Sequence, residues 1–255
     1  MVAQAAPIVV NLQEEGGLPH LDCSFDGVAQ RCLLDSGSFV SVVHDVPPFD
    51  RYAVSRIVAD SLKLVKVSSV TVAGNQVGPL HAIRDSHPFP TIGADVVCQR
   101  RLALRPGSPT RLIFNPDEVE RYGLQSLEID RDQRFVVSVR VNDQVMRALW
   151  DTGTAETRIV QTIVDVAEPM DFKRGDAYRY RRESGQRVRA RVINIAGQLF
   201  DDLPVLTTGR NFSGGVEVLL GWDLISQLDW YFDPSARMWS ARRPSIPSDV
   251  NPARP

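Results

Sequence analysis

Two short stretches carry side chains able to do chemistry. Each has two apolar residues, then Asp, a small hydroxyl residue, Gly and a second hydroxyl residue: Leu33-Leu-Asp-Ser-Gly-Ser38 and Leu149-Trp-Asp-Thr-Gly-Thr154. An Asp that follows an apolar strand and precedes Ser/Thr-Gly makes a turn with a carboxylate at its tip. The glycine permits positive φ and lets backbone N–H groups approach that carboxylate. One such turn reads as a surface turn, because Asp-x-Gly is common. Two change the reading. Carboxylates held face to face cannot both ionise, so the pair keeps one proton. One then acts as base toward a water and the other as acid toward a carbonyl oxygen, with no metal or covalent nucleophile required.

A repeat supplies the means of bringing Asp35 and Asp151 together. Cys23–Gly37 lies over Val139–Gly153 without a gap, at an offset of 116. Thr91–Val97 matches Leu219–Ile225, and Ile113-Phe-Asn-Pro116 matches Tyr231-Phe-Asp-Pro234. Three blocks in one order read as a tandem duplication, with the join within 117–126. Two related lobes around a pseudo-twofold axis would carry both turns to that axis. The expected division is residues 1–120, residues 121–243 and a disordered tail from 244, which holds four prolines.

Each copy reads as short strands. Asp26-Gly27 and Asn142-Asp143 sit between alternating apolar residues, a signal for tight hairpin turns. Val65–Val72, Val136–Val141 and Val188–Ile195 are rich in β-branched residues. Helical periodicity is confined to a turn or two after Asp95 and after Asp223. The expected fold class is all-β (mainly β), in two pseudo-equivalent lobes with a cleft between them.

Composition removes other chemistries. The chain has 255 residues, 43% hydrophobic, and a formal net charge of -2, so no global basic field would hold nucleic acid or an anionic membrane. No apolar run approaches the ~18 residues of a membrane-spanning helix. Three cysteines without a CxxC and four scattered histidines offer no zinc spacing and no disulfide framework. GxSxG and GxxxxGK[ST] are absent. The expectations are no cofactor, no metal, no nucleic acid, no membrane and a reducing, cytoplasmic location.

On these residues the sequence resembles the aspartic protease superfamily, both retropepsin-like and pepsin-like, over nearly the whole chain to about Arg243. The family motif is two apolar residues, Asp, Thr or Ser, Gly, then Ser, Thr or Ala, and both copies satisfy it. A second family element, two apolar residues and Gly, threads behind the Asp turn. Ile92-Gly93 and Leu220-Gly221 fill it, 58 and 70 residues after their aspartates. The resemblance implies that Asp35 and Asp151 are the catalytic dyad. It makes Ser36 and Thr152 hydroxyls that lock the two turns together, and Gly37 and Gly153 donors of N–H groups facing the carboxylates. Ser38 and Thr154 become hydroxyls on the outer carboxylate oxygens. Asp95 and Asp223 read as loop or helix-start residues. With 116 residues between the aspartates, a fused retropepsin dimer describes the chain better than a full-length pepsin. Only 34 residues precede Asp35, which leaves no room for a pepsin-type prosegment. The implied activity is an aspartic endopeptidase acting on peptide or protein, as a monomer because one chain holds both aspartates.

The family's substrate-covering flap has a candidate in Tyr178–Arg191, with Ser184-Gly185 as the turn and Tyr180 and Tyr178 facing Arg189 and Arg191. Its six arginines read as the charge of a hairpin solvated on both faces, ahead of a grip on acidic substrate or nucleic acid. The first copy's counterpart, near Val58–Ser61, lacks Gly and is the weaker candidate. Cys23 and Cys32 are diagonal neighbours within reach of a disulfide. Their counterparts Val139 and Ala148 mark them instead as small apolar packing positions. The histidines read as surface or incidental. Trp150 reads as core packing, ahead of a wall that desolvates the dyad. The alternative to an enzyme is a catalytically silent protease-like module that binds a peptide or partner.

Overall fold

The computed structural model describes residues 6–44, 54–56, 63–85, 89–117, 123–160, 187–209 and 212–244. The first half runs β1 (Ile8–Asn11), β2 (Gln13–Glu15), β3 (Leu18–Phe25), β4 (Val28–Leu34), β5 (Val42–His44), β6 (Val54–Arg56), β7 (Lys63–Val72), β8 (Asn75–Asp85), β9 (Thr91–Ile92), α1 (Ala94–Val97), β10 (Leu102–Arg105) and β11 (Arg111–Phe114). The second runs β12 (Gln125–Ser126), β13 (Glu128–Ile129), β14 (Phe135–Val141), β15 (Gln144–Trp150), β16 (Arg158–Val160), β17 (Arg187–Ile195), β18 (Gln198–Thr208), β19 (Val218–Leu220), α2 (Trp222–Ile225), β20 (Asp229–Asp233) and β21 (Met238–Arg242). No helix among the described residues is long and apolar enough to cross a membrane.

The local signals act where the chain needs them. Asp26, Gly27, Asn142 and Asp143 all take left-handed φ, at 47°, 83°, 46° and 69°. Two successive left-handed residues twist the turn with its strands, and they close β3 on β4 and β14 on β15. Alternate side chains of β14 point inward, and its pattern ends buried, exposed, buried, exposed, buried.

Three sheets result. The first is ordered β2-β3-β4-β9-β5-β8-β7-β6, with β3 also pairing β7; the second is β13-β14-β15-β19-β16-β18-β17, with β14 also pairing β17. The extra pairings curl each sheet toward a barrel and hide sheet edges. The third sheet, β1-β11-β10-β20-β21-β12, takes three strands from each half, and β10 and β20 meet antiparallel at its centre. One continuous apolar core links all three. At its middle, Phe135, Trp150 and Phe232 pack with ring centroids 4.6 Å (Phe135–Phe232) and 4.9 Å (Trp150–Phe232) apart. Trp150 is fully buried among them, so its bulk fills core rather than walls a cleft.

Three expectations are corrected. The match of Ile113–Pro116 to Tyr231–Pro234 joins non-equivalent strands, because Ile113 lies on β11 and Tyr231 on β20. The strand that follows α1 as β20 follows α2 is β10, and Ala103 stands opposite Tyr231 at the sheet centre. A short apolar block ending in Asn/Asp-Pro is too weak a signal to choose between neighbouring strands. Cys23 and Cys32 form a disulfide with their Cα atoms 6.0 Å apart. The diagonal register puts both on the buried face of one hairpin, which suits a bridge as well as apolar packing. His20 is buried at 1% exposure, sharing its Nδ1 proton with the Leu18 carbonyl at 3.0 Å and meeting Phe89 edge-on.

Ser184 and Gly185, and with them most of the Tyr178–Arg191 hairpin, lie outside the described residues, as do Val58–Ser61 and the tail from residue 245. The described end of that hairpin, from Arg187, pairs with β18. There Arg189 meets Asp202 at 2.6 Å and Arg187 forms an ion pair with Glu156.

Candidate active site

Asp35 and Asp151 leave the ends of β4 and β15. Each is fixed from behind by a parallel neighbour: the Asp35 N–H donates to the Ile92 carbonyl at 3.0 Å and the Asp151 N–H to the Leu220 carbonyl at 3.1 Å. Ile92-Gly93 and Leu220-Gly221 thread behind the turns, where only glycine fits. A Cβ on Gly93 would run into the Val40 carbonyl, and one on Gly221 into the Glu156–Thr157 backbone.

The turns are tied to each other across the two halves. The Ser36 N–H donates to Thr152 Oγ1 at 3.0 Å and the Thr152 N–H to Ser36 Oγ at 3.1 Å. Ser36 Oγ donates to the Trp150 carbonyl at 2.6 Å and Thr152 Oγ1 to the Leu34 carbonyl at 2.8 Å. Both hydroxyls are fully buried, so these are bonds that water cannot replace. Thr152→Val keeps the shape but strands two buried polar groups. It is expected to cost about 2–5 kcal/mol in urea unfolding, against under 1 kcal/mol if the contact were incidental.

The same tie brings each carboxylate against the glycine of the opposite turn. Gly37 and Gly153 each donate N–H to Oδ1 of their own aspartate at 3.0 Å. The positive φ that glycine permits is not used here: neither Gly37 nor Gly153 has it. They are glycines because each lies against the other turn's aspartate. A Cβ on Gly37 would overlap the Asp151 carboxyl, and one on Gly153 the Asp35 carboxyl.

The outer hydroxyls differ. Thr154 Oγ1 donates to Asp151 Oδ2 at 3.0 Å, as expected. Ser38 does not match its expected role: its hydroxyl donates to the Val40 carbonyl at 2.8 Å, and its N–H, at 3.0 Å, reaches Asp35 Oδ1. Asp35 thus receives two backbone donors, whereas Asp151 receives one backbone donor and a hydroxyl.

Burial raises both carboxyls above the ordinary aspartate range. For Asp35 the N–H groups of Ser38 and Gly37 and the Arg134 charge pull back. For Asp151 the Asp35 charge adds to burial and pushes it up to about 7, with Thr154, Gly153 and Arg158 opposing. Since the folded value lies above the ordinary 3.8, this stabilisation is full below about pH 4 and lost as pH rises through about 7. Asp151→Asn is therefore expected to gain stability over wild type on going from pH 4 to pH 8, by an amount on the order of 4 kcal/mol. A flat difference between the two proteins across that range, measured by thermal unfolding, would contradict the burial argument.

A second pair of carboxylates holds the turns from outside. Ser41 Oγ donates to Asp95 Oδ1 at 2.8 Å and accepts the Gly93 N–H at 3.0 Å. Thr157 Oγ1 donates to Asp223 Oδ1 at 2.7 Å and accepts the Gly221 N–H at 3.1 Å. Asp95 and Asp223 lie in the first turns of α1 and α2, but their side chains serve these braces. Burial raises both. Ser41 and Thr157 escaped the sequence reading, although each lies six residues after its aspartate. Arg134, whose guanidinium reaches the Gly37 carbonyl at 3.2 Å, escaped it too. Its counterpart at the 116 offset is Leu18, so no repeat marks it. Among the described residues no group of three or more His, Cys, Asp or Glu is arranged to hold a metal ion.

Two curled sheets, a shared central sheet and paired Asp turns at their junction make this the fold of the two-lobed, pepsin-like aspartic proteinases. The chain is similar to the crystal structure of aspartic proteinase from Irpex lacteus, with a TM-score of 0.59 and 11% sequence identity over 96% of this chain and 99% of that one. No family model matches the sequence, and neither does any curated protein.

Proposed function

We propose that the chain is an aspartic endopeptidase. The observation that carries this reading is the mutual seating of the two carboxylates, each packed on the glycine of the opposite turn. In that position two acids share one proton, and a water held between them has a base on one side and an acid on the other. The ionised carboxylate takes a proton from the water as its oxygen adds to the peptide carbonyl. The protonated carboxyl gives its proton to the carbonyl oxygen, forming a neutral tetrahedral diol. Collapse reverses the roles: a proton passes to the leaving nitrogen, the C–N bond breaks, and the dyad returns to one proton. Substrate binds extended between the halves, its backbone paired with strand edges. One chain supplies both acids, so a monomer suffices. The equivalent order of strands in the two halves supports an origin by tandem duplication.

The test is cleavage of an unbiased peptide library from pH 3 to 8 by wild type and by Asp151→Asn. Cleavage by wild type alone supports the reading and yields specificity and pH optimum together. No cleavage at any pH, from folded protein, overturns it in favour of a peptide-binding module.

A further inference from the structure

The two halves treat their Asp turns unequally, and beyond the outer hydroxyls they differ in one buried cation. Arg134 is 8% exposed and stands where the β13–β14 connection enters β14. Asp130, 9% exposed, anchors it: Asp130 Oδ2 accepts from Arg134 Nε at 2.8 Å and lies 2.7 Å from Nη2, while Asp130 Oδ1 accepts the Asp132 and Arg134 N–H groups, each at 2.9 Å. Nη2 also donates to Asp132 Oδ2 at 3.3 Å and Ser213 Oγ at 3.1 Å. The remaining arm crosses into the first half, where Nη1 donates to the Gly37 carbonyl at 3.2 Å. In the opposite direction the β2–β3 hairpin approaches Ala155, but the residue equivalent to Arg134 there is the uncharged Leu18.

We propose that Arg134 is a positioning residue that polarises the aspartate pair, holding the Gly37 turn in place and favouring negative charge on Asp35, so that Asp151 carries the shared proton. This rests on the peptidase reading for its catalytic consequence: Asp35 is the carboxylate that takes the proton from water. A guanidinium is suited to the task because it stays charged when buried and its planar fork serves several acceptors at once. Asp130 and Asp132 bring two negative charges to its one, with Arg131 Nε 3.9 Å from Asp132 Oδ2 as a further cation, so what bears on the Asp35 turn is the arm that reaches the Gly37 carbonyl and not a net charge of the cluster. Of the other charges, those of Asp35 and Arg158 act on Asp151, the first raising it and the second lowering it.

The test follows the two carboxyls directly, by carbon NMR titration of aspartate-labelled protein, with Asp35→Asn and Asp151→Asn providing the assignments. In wild type Asp35 should ionise at lower pH than Asp151. In the neutral pair Arg134→Gln/Asp130→Asn, which keeps the shapes, the Asp35 transition should rise by about one pH unit and close on that of Asp151. In Arg134→Lys the transitions should stay ordered, while kcat for peptide cleavage falls about tenfold with KM unchanged, because the fork that places the turn is lost. Unmoved carboxyl titrations in a folded neutral pair overturn the proposal and leave Arg134 as a structural ion pair. Should the neutral pair fail to fold, Arg134→Lys decides: unchanged kcat, or a reversed order of titration, overturns it. If the titrations behave as expected but no peptide is cut, the polarisation stands and the peptidase reading falls.

Discussion

Replacing Asp35 or Asp151 by asparagine is expected to lower kcat/KM for peptide cleavage by about 10⁴-fold, with the double variant scarcely worse than either single one. Asparagine keeps the size and accepts the same N–H bonds from Gly37, Ser38 and Gly153. What it lacks is the ability to take or give a proton. In the proposed reaction both acids work on one water, so losing either would end the cycle and the second loss would find nothing left to remove. The measurement is kcat/KM on the best library peptide at its optimum pH, with circular dichroism to confirm folding. A single variant that keeps a tenth of wild-type activity would show that the pair is not the reaction centre. The pH profile should be bell-shaped, with its alkaline limb near the value of about 7 to which Asp151 is raised. Above that limb the shared proton is gone.

Gly153→Ala and Gly37→Ala are expected to be nearly as damaging, although one methyl group is all that is added. The new Cβ would occupy the space of the opposite carboxyl, and neither side has room to yield. The turns are bound to each other by Ser36 and Thr152 and to β9 and β19 by their own N–H groups. The carboxyls must part, so the water loses one of its two contacts. Activity should drop by about 10³-fold or more, with a stability loss of about 1–3 kcal/mol typical of overpacking. Gly209→Ala is the matched control, since among the described residues a Cβ there meets nothing within 4 Å and the backbone is not left-handed. It should be neutral in both assays. If Gly153→Ala keeps most of its activity, the close seating of the carboxyls is not needed for catalysis.

Much of this site was legible in the sequence because its signals are local and occur twice. The two hairpin turns need residues that tolerate left-handed φ, and Asp26-Gly27 and Asn142-Asp143 announce that need in two letters each. The Asp-hydroxyl-Gly-hydroxyl turns stood out once the 116 offset aligned them, and the alignment survived in space because both follow equivalent strands. Where a signal was short and single, it misled. The block at Ile113 matched the wrong strand, and the apolar counterparts of Cys23 and Cys32 pointed away from the disulfide.

Which atoms are available follows from the residue order alone: two carboxylates, the hydroxyls beside them, and strands that carry them to turn tips. Tertiary structure decided how those atoms are used, because a hydrogen bond goes to whichever group packing brings within 3 Å or so, however far away in the chain. Ser38 and Thr154 hold equivalent places, yet one hydroxyl turns to the Val40 carbonyl and the other to Asp151. Gly37 and Gly153 are required by a carboxylate 114 or more residues distant rather than by their own backbone angles. Arg134 is the clearest case: nothing near it in sequence marks it, and only the folded chain sets its guanidinium against the Gly37 carbonyl.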